Sequence, residues 1–272
     1  MENKRYLMES PKEGHRIRLK TNSDETKLHL LTGGIKEGDK AIDVGCASGE
    51  ATRIMSEIVG QESSVVGFDR SDLRINESRE VDKQRAITNI DYASGSVYDM
   101  TNINDNSFDF VWSRFLLEYL EKPEEAIKEM KRITKENGIL AIADIDGNCL
   151  FHYPMSSKFE LGLNNVLQVI QKTGFDPFVG RKLFTYLINA GFKQEDIKVS
   201  ILPYHQIMGT PPEHIFESWK RKINILEQNF KVLAPEKYVD NKWVFNEFLE
   251  HIKSSSTVTY SNIFIVSGKK KT

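Results

Sequence analysis

Small residues and a carboxylate mark a turn near residue 45. The stretch from Lys40 to Thr52, KAIDVGCASGEAT, runs from an apolar strand pattern through Gly45, Ala47 and Gly49 into a helix pattern. Small side chains at such a turn let a ligand approach the backbone amides that open the helix. The turn is therefore typical of nucleotide-binding sites, although a tight connection without a ligand has the same residues.

A second carboxylate ends the next apolar run. The run VVGFD at 65–69 is followed by Arg70. At the end of a strand, Asp69 can accept hydrogen bonds from both hydroxyls of a ribose, or it can cap a helix that begins near Ser71. Together with the turn at residue 45, Asp69 favours a ligand that contains a nucleoside.

The residue that follows the turn argues against a dinucleotide. The dinucleotide fingerprint has glycines at its first, third and sixth positions, where this chain has Gly45, Ala47 and Glu50. A glutamate at the third glycine position crowds the packing of helix on strand and brings a negative charge close to a pyrophosphate. A cofactor without phosphate, held by its adenosine and an amino-acid tail, meets no such objection.

The elements that must position these residues alternate regularly. From about residue 40 to 146, β-branched runs predict strands at 41–44, 64–68, 91–93, 108–113 and 138–145. A helix that starts at Pro123 separates the last two strands, and Asn137-Gly138 is expected to end it. This alternation predicts a parallel sheet covered by helices.

The pattern changes after residue 146. Helices are predicted at 156–173 and 180–190, and strands at 197–202 and 257–267, the last suited to an antiparallel partner. Between these two strands, two helices carry aromatic stripes, which are typical of a cap packed on the sheet. We therefore predict a core (37–202 and 256–272) with a helical cap insertion (203–255) over the substrate pocket, preceded by an N-terminal segment (1–36).

Five segments together resemble the class I S-adenosylmethionine-dependent methyltransferases of the small-molecule type. They are DVGCASG at 43–49, VVGFDRS at 65–71, ASGSVYDM at 93–100, FDFVWSRFLLEYLEKP at 108–123 and GILAIADID at 138–146. The resemblance covers most of the chain. It implies an α/β, Rossmann-like fold with a seven-stranded, mostly parallel sheet whose last strand is antiparallel, and S-adenosylmethionine as the cofactor.

The resemblance also assigns cofactor-binding residues to the strand ends. It implies that the first turn lies beside the methionine moiety, with Asp43, Gly45, Ala47 and Gly49. Asp69 matches the acid on the ribose hydroxyls, and its neighbour Arg70 flanks the adenine.

Two further pairs are assigned in the same way. Ser96 and Val97 fall at the adenine edge, where Ser96 replaces the acid that family members usually have. Ser113 and Arg114 follow the fourth strand, beside the sulfonium and the acceptor. The sequence there, SRFL, lacks the prolines of enzymes that methylate DNA bases and the acidic ligand of metal-dependent catechol-type enzymes.

The N-terminal segment resembles the helical cover of small-molecule members. By this resemblance Tyr6 closes over the methyl group and Arg16 pairs with the cofactor carboxylate, with Arg18 as the alternative. The residues alone indicate only an amphipathic helix with exposed arginines.

Charge and composition disfavour other classes of partner. The 37 basic and 39 acidic residues lack the basic excess of a nucleic-acid binder, and no apolar run approaches the ~18 residues of a membrane span. Cys46 and Cys149 match no metal spacing, and Asp144 and Asp146 are more typical of a turn than of a cation site. We expect a cytoplasmic chain without metal, nucleic acid or membrane; monomer and homodimer both remain open.

The predicted function is metal-independent methyl transfer to an oxygen, nitrogen or carbon of a small molecule. His152, His205 and His214 lie in or near the predicted cap, but no motif places them, and no catalytic base is assigned. Two alternatives remain: a non-catalytic domain that binds the cofactor or a partner, and a nicotinamide-dependent reductase, which the turn disfavours.

Overall fold

Seven strands form a single sheet at the centre of the molecule. In the computed structural model, which describes residues 22–271, they are β1 (Ala41–Val44), β2 (Val65–Asp69), β3 (Ile90–Ser94), β4 (Phe108–Arg114), β5 (Thr134–Tyr153), β6 (Ile197–Met208) and β7 (Val258–Lys269). Their order in the sheet is β3-β2-β1-β4-β5-β7-β6. Strands β1 to β5 pair in parallel, and β7 is antiparallel to both β5 and β6. The predicted Rossmann-like fold class is confirmed.

Helices cover both faces of this sheet. They are α1 (Ser23–Gly33), α2 (Glu50–Val59), α3 (Asp72–Gln84), α4 (Pro123–Ile133), α5 (Ser157–Ile170), α6 (Leu183–Asn189), α7 (Glu213–Leu233), α8 (Pro235–Asn241) and α9 (Trp243–Lys253). Buried side chains of α1 and α2 pack with Phe110 and Trp112 on one face, and those of α4 and α6 pack with Val111 on the other. The strands are apolar because both of their faces are covered.

Local signals set several helix ends. Ser71 caps α3, because its hydroxyl accepts a hydrogen bond from the Arg74 N–H at 3.4 Å. Pro123 occupies the first turn of α4, where its missing N–H costs nothing. Asn22 caps α1 through its side-chain oxygen, which lies 3.1 Å from the Glu25 nitrogen.

Strand β5 differs most from its prediction. The chain leaves α4 at Ile133 rather than at Asn137-Gly138, and it runs on in the sheet to Tyr153. Asn137 does adopt a positive φ, 65°, but inside the strand. The end of α4 is set by Lys270, whose Nζ binds the carbonyl oxygens of Lys131 and Thr134 at 3.0 and 2.8 Å. Lys270 is distant in sequence from α4, so no local sequence pattern indicates this contact.

Helices α5, α7, α8 and α9 enclose an apolar cluster, and we call these four helices the cap. Phe159, Trp219 and Phe230 are among its buried side chains. The cap joins the ends of β5, β6 and β7 through the short connections 154–156, 209–212 and 254–257. Because α5 shares the cluster, it packs with the helices of the predicted insertion at 203–255. The proposed division into cover, core and insertion stays a prediction, and residues 1–21 of the cover lie outside the described part.

Candidate cofactor and acceptor sites

The first turn bends three times through the left-handed region. Gly45, Ala47 and Gly49 have φ values of 85°, 47° and 74°. The Gly45 and Cys46 N–H groups donate to the Phe68 carbonyl at 2.7 and 3.1 Å, which anchors the turn to the end of β2. The turn therefore lies at the carboxyl edge of the sheet, where ligands of this fold class bind.

Asp69 connects this turn to the loop after β2. One carboxylate oxygen accepts the Ala47 N–H and the other accepts the Ser71 N–H, both at 2.9 Å. The helix cap of α3 is thus Ser71 and not Asp69. Each carboxylate oxygen keeps a further lone pair, so the side chain can accept ribose hydroxyls without losing its backbone contacts.

Asp43 is a buried carboxylate in the floor of the site. It is 2% exposed, and its Oδ2 accepts a hydrogen bond from the Thr52 hydroxyl at 2.7 Å. Burial raises the pKa of Asp43 to about 6, against the opposing effects of Thr52 and of the Arg114 charge. A cationic ligand group would stabilise its charged form.

A buried ionic network supports the turn from below. The Arg53 guanidinium pairs with Asp82 at 2.5 Å and with Glu50 at 3.1 Å, and it donates to the Ser48 carbonyl at 2.9 Å. The Tyr92 hydroxyl donates to the second oxygen of Asp82 at 2.8 Å. Because Arg53 neutralises Glu50, the charge part of the sequence argument against a dinucleotide does not hold.

The sequence reasoning overlooked this network. Arg53 lies on the buried face of α2, and a charge at such a position requires partners. The buried position of Arg53 in the helix pattern was therefore the sequence signal for this network. Gly49 belongs to the same cluster, since an added Cβ would lie 2.6 Å from the Tyr92 hydroxyl.

The residues predicted at the adenine edge lie on the rim of the site. Arg70 and Ser96 are exposed, whereas Val97 is half-buried against the core. The Gly95 N–H donates to the Asp69 carbonyl at 3.2 Å, which brings the loop of Ser96 and Val97 next to Asp69. Tyr6, Arg16 and Arg18 lie outside the described residues.

Ser113 and Arg114 occupy the end of β4. The Ser113 hydroxyl is fully buried and has no hydrogen-bond partner among residues 22–271. Arg114 is half-buried, and its Nη1 donates to the Thr26 hydroxyl of α1 at 2.9 Å. The structure therefore adds α1 to the predicted site, although no predicted site residue lies on this helix.

A cavity of about 550 Å³ lies between the second half of β6 and α7. Its walls include Glu25, Tyr204, His205, Ser218 and Trp219. The Tyr204 ring lies 5.2 Å from that of Phe115, the residue that directly follows β4, so the cavity borders the predicted cofactor site. The sequence predicted a substrate pocket beneath the insertion at 203–255, but it did not place Tyr204 and His205 on a strand, because β6 was expected to end at residue 202.

The three histidines considered as bases occupy different places. His205 lines the cavity, and its Nδ1 lies 2.8 Å from the Ser261 hydroxyl. His152 is buried between sheet and cap against Phe159, Phe248 and His251, and burial lowers its pKa to about 3. His214 is exposed near the start of α7.

Asp144 and Asp146 both have N–H partners. Asp144 accepts the N–H groups of Leu117 and Glu118 at 2.9 and 3.3 Å, so it organises the turn after β4. Asp146 forms a two-pronged ion pair with Arg181 at 2.6 and 2.9 Å. Within residues 22–271, no group of three His, Cys, Asp or Glu side chains could hold a metal ion.

Comparison with known proteins agrees with this geometry. Residues 35–174 match the family model described as a methyltransferase domain. The chain belongs to this methyltransferase family. Membership confirms the predicted family, the methyltransferases that use S-adenosylmethionine as cofactor. Within the described residues of this methyltransferase, no helix has the length and apolar character that crossing a membrane requires.

Named relatives match over part of their length. An uncharacterized methyltransferase of Schizosaccharomyces pombe is 29% identical over 61% of this chain and 61% of its own length. A demethylmenaquinone methyltransferase of Geobacillus stearothermophilus is 31% identical over 44% of this chain and 50% of its own. A Haemonchus contortus phosphoethanolamine N-methyltransferase, 18% identical, shares the fold with a TM-score of 0.56 over 92% of this chain and 53% of that one.

The side chains of this methyltransferase fit the cofactor. The carboxylates of Asp43 and Asp69 suit its cationic and hydroxyl groups, and Arg53 is already committed to Asp82 and Glu50 rather than to a phosphate. The hydroxyls of Ser48 and Ser113 are buried without a partner among the described residues. A buried hydroxyl of this kind requires a hydrogen-bond partner, which a polar ligand or an ordered water would supply.

Proposed function

We propose that this chain transfers the methyl group of S-adenosylmethionine to a small molecule in the cavity between β6 and α7. The observation that carries the proposal is the contact between Tyr204 in the cavity wall and Phe115 directly after β4. The cavity volume, about 550 Å³, lies in the range of small-molecule sites, about 300–1,000 Å³. The names of the menaquinone and phosphoethanolamine enzymes support an acceptor of this size.

The residues would act by binding and alignment. The cofactor supplies an electrophilic methyl group on a sulfonium, and transfer requires in-line geometry and exclusion of water. Asp69 would accept the ribose hydroxyls, and Asp43 would hold the ammonium of the amino-acid tail. A hydroxyl or ammonium acceptor also loses a proton, and among the three histidines considered only His205 lines the cavity.

Calorimetry tests the cofactor part of the proposal. We expect micromolar binding of S-adenosylhomocysteine to the purified chain and none of NADH. Binding of NADH alone would support the reductase instead. Incubation with methyl-labelled cofactor and metabolite extracts then tests the chemistry: cofactor binding without label transfer would indicate the non-catalytic alternative.

Filling the cavity tests the acceptor part. Ser218 lines the cavity from α7, whereas Lys220 on the same helix is exposed and does not. Ser218→Phe should abolish label transfer and leave the affinity for S-adenosylhomocysteine unchanged, while Lys220→Phe should retain both. Full label transfer by a folded Ser218→Phe variant would show that the acceptor binds elsewhere.

A further inference from the structure

Arg114 has far more hydrogen-bonding capacity than the described chain uses. A guanidinium has five N–H donors. In this structure one of them binds the Thr26 hydroxyl at 2.9 Å, and the Arg114 Cζ lies 5.1 Å from the centre of the Phe115 ring. Within residues 22–271, no carboxylate forms an ion pair with Arg114. Most of the guanidinium N–H groups are therefore unused by the described residues.

Its surroundings do not compensate this charge by contact. Burial lowers the pKa of Arg114, and the charges of Tyr204, Asp43 and Glu25 oppose that effect. Asp43 already accepts a hydrogen bond from Thr52. A desolvated guanidinium is costly unless an anion pairs with it.

A second buried group next to Arg114 also lacks a partner. His29 of α1 is 2% exposed, and its Nδ1 has no hydrogen-bond partner in the described part of the chain. Burial and the Arg114 charge together lower the pKa of His29 to about 4, so its ring is neutral near pH 7. The ring can then donate or accept one more hydrogen bond without adding positive charge.

The proposed cofactor makes an unpaired cation here unfavourable. Its sulfonium and ammonium are positive, so Arg114 alone would repel them. The repulsion is offset if an anionic group lies against the guanidinium, which matches a carboxylate in two-pronged geometry.

We infer that Arg114 binds a carboxylate or a similar anionic group of a ligand at the end of β4. The inference rests on the proposed function, and the anion belongs either to the amino-acid tail of the cofactor or to the acceptor. Arg114 would thereby position the ligand whose anion it binds.

The two sources are separable by a binding cycle. S-adenosylhomocysteine and its decarboxylated analogue are titrated calorimetrically into the wild-type chain and into Arg114→Gln. If the anion is the cofactor carboxylate, each change alone should weaken binding about 10- to 100-fold, and the second change should cost little after the first. Arg221→Gln, an exposed charge loss on α7, is the matched control and should bind both ligands as wild type does.

The labelled product tests whether the anionic group belongs to the acceptor. If the anion is on the acceptor, Arg114→Gln should bind S-adenosylhomocysteine as wild type does, and the labelled wild-type product should be retained by an anion exchanger at neutral pH. Arg114→Gln should then form this product about 10- to 100-fold more slowly.

The inference is overturned if the binding cycle shows no coupling and the product is neutral or does not form. Loss of S-adenosylhomocysteine binding by the wild-type chain would instead overturn the proposed function. A melting curve of Arg114→Gln, with Arg114→Lys as a variant that keeps the charge but not the fork, separates unfolding from lost recognition.

Discussion

Asp69 is the last residue of β2 and Asp43 the next-to-last residue of the neighbouring β1, but their partners differ. Asp69 accepts two backbone N–H groups, while Asp43 accepts one hydroxyl in the buried floor of the site. The sequence predicted both carboxylates, because each lies at or next to the end of an apolar strand. It did not predict their environments, since Thr52 and Ala47 reach them only after the turn has folded.

Replacement of Asp69 tests the ribose contact. Asp69→Asn should weaken the binding of S-adenosylhomocysteine by about 1–3 kcal/mol, because the ribose hydroxyls lose a charged acceptor. Asp91→Asn, an exposed acid of β3, is the control and should bind normally. Unchanged calorimetric affinity of a folded Asp69→Asn protein would limit the role of Asp69 to joining two backbone segments.

Replacement of Asp43 should separate stability from binding. The folded pKa of Asp43, about 6, lies above its ordinary value of 3.8, so its charge destabilises the fold above pH 6, and this cost disappears below pH 3.8. Asp43→Asn should therefore raise the free energy of unfolding at pH 7.5 by about 1–3 kcal/mol. Binding of S-adenosylhomocysteine should weaken at the same time.

Denaturant titrations at two pH values check this sign. The stabilities of Asp43→Asn and wild type should converge near pH 3.5. An Asp43→Asn variant that is less stable than wild type at pH 7.5 would show that the Asp43 carboxylate stabilises the fold rather than destabilising it.

At the scale of elements, the structure gives a different reason for a glycine at position 49 from the one that the sequence indicated. The sequence related its small size to an approaching ligand, whereas the structure places Tyr92 of β3 against it. Tyr92 is distant in the chain, so the local motif cannot reveal this contact. Gly49 directly precedes α2 and lies against Tyr92 of β3, so the geometry of the turn depends on both elements.

The substitution Gly49→Ala measures this contact against backbone strain. Gly49 and Gly38 have φ values of 74° and 83°, but an added Cβ at Gly38 meets nothing within 4 Å. Gly38→Ala should therefore cost only the left-handed strain, about 1–2 kcal/mol. Gly49→Ala should cost at least 1 kcal/mol more by denaturant unfolding and should weaken cofactor binding. Equal costs would mean that Tyr92 moves aside freely.

Strand lengths were predictable only where the pattern is local. Strands β1 to β4 lie within one or two residues of their predictions, because their apolar runs are bounded by turn residues. Strands β5 and β6 continue well beyond the predicted ends, since pairs such as Tyr153 with Val258 and Met208 with Val258 hold them. Pairing between distant segments overrides propensity there.

For the whole molecule, buried neutral histidines predict acid sensitivity. Burial lowers the folded pKa of His152 to about 3 and that of His29 to about 4, from 6.5. Below pH 6.5 the unfolded chain therefore binds more protons than the folded chain, and the free energy of unfolding decreases as the pH is lowered from 6.5. Each histidine should cost about 2 kcal/mol between pH 7.5 and pH 5.

The variant His152→Phe isolates one of these contributions. Its free energy of unfolding should fall by about 2 kcal/mol less than that of wild type over the same pH interval. His214→Phe, at an exposed site, should keep the wild-type slope. Parallel slopes for all three proteins would show that His152 becomes solvated before the chain unfolds.

The site was predictable to the extent that it lies in contiguous motifs. The ends of β1, β2 and β4 carry residues that the sequence assigned. The cavity between β6 and α7 combines Glu25 of α1, Tyr204 of β6 and Trp219 of α7, and no short segment contains them together. Only the tertiary arrangement brings such residues to one place.

The three connections at 154–156, 209–212 and 254–257 restrict how ligands can exchange. A body attached at one point can swing freely, whereas the cap is attached through these three connections and also through residues 171–182, which lead from α5 to α6. The end pairs of β5, β6 and β7 lie directly beneath these attachments. We therefore expect product to leave through small fluctuations of the cavity rim, and turnover to proceed without a large opening motion.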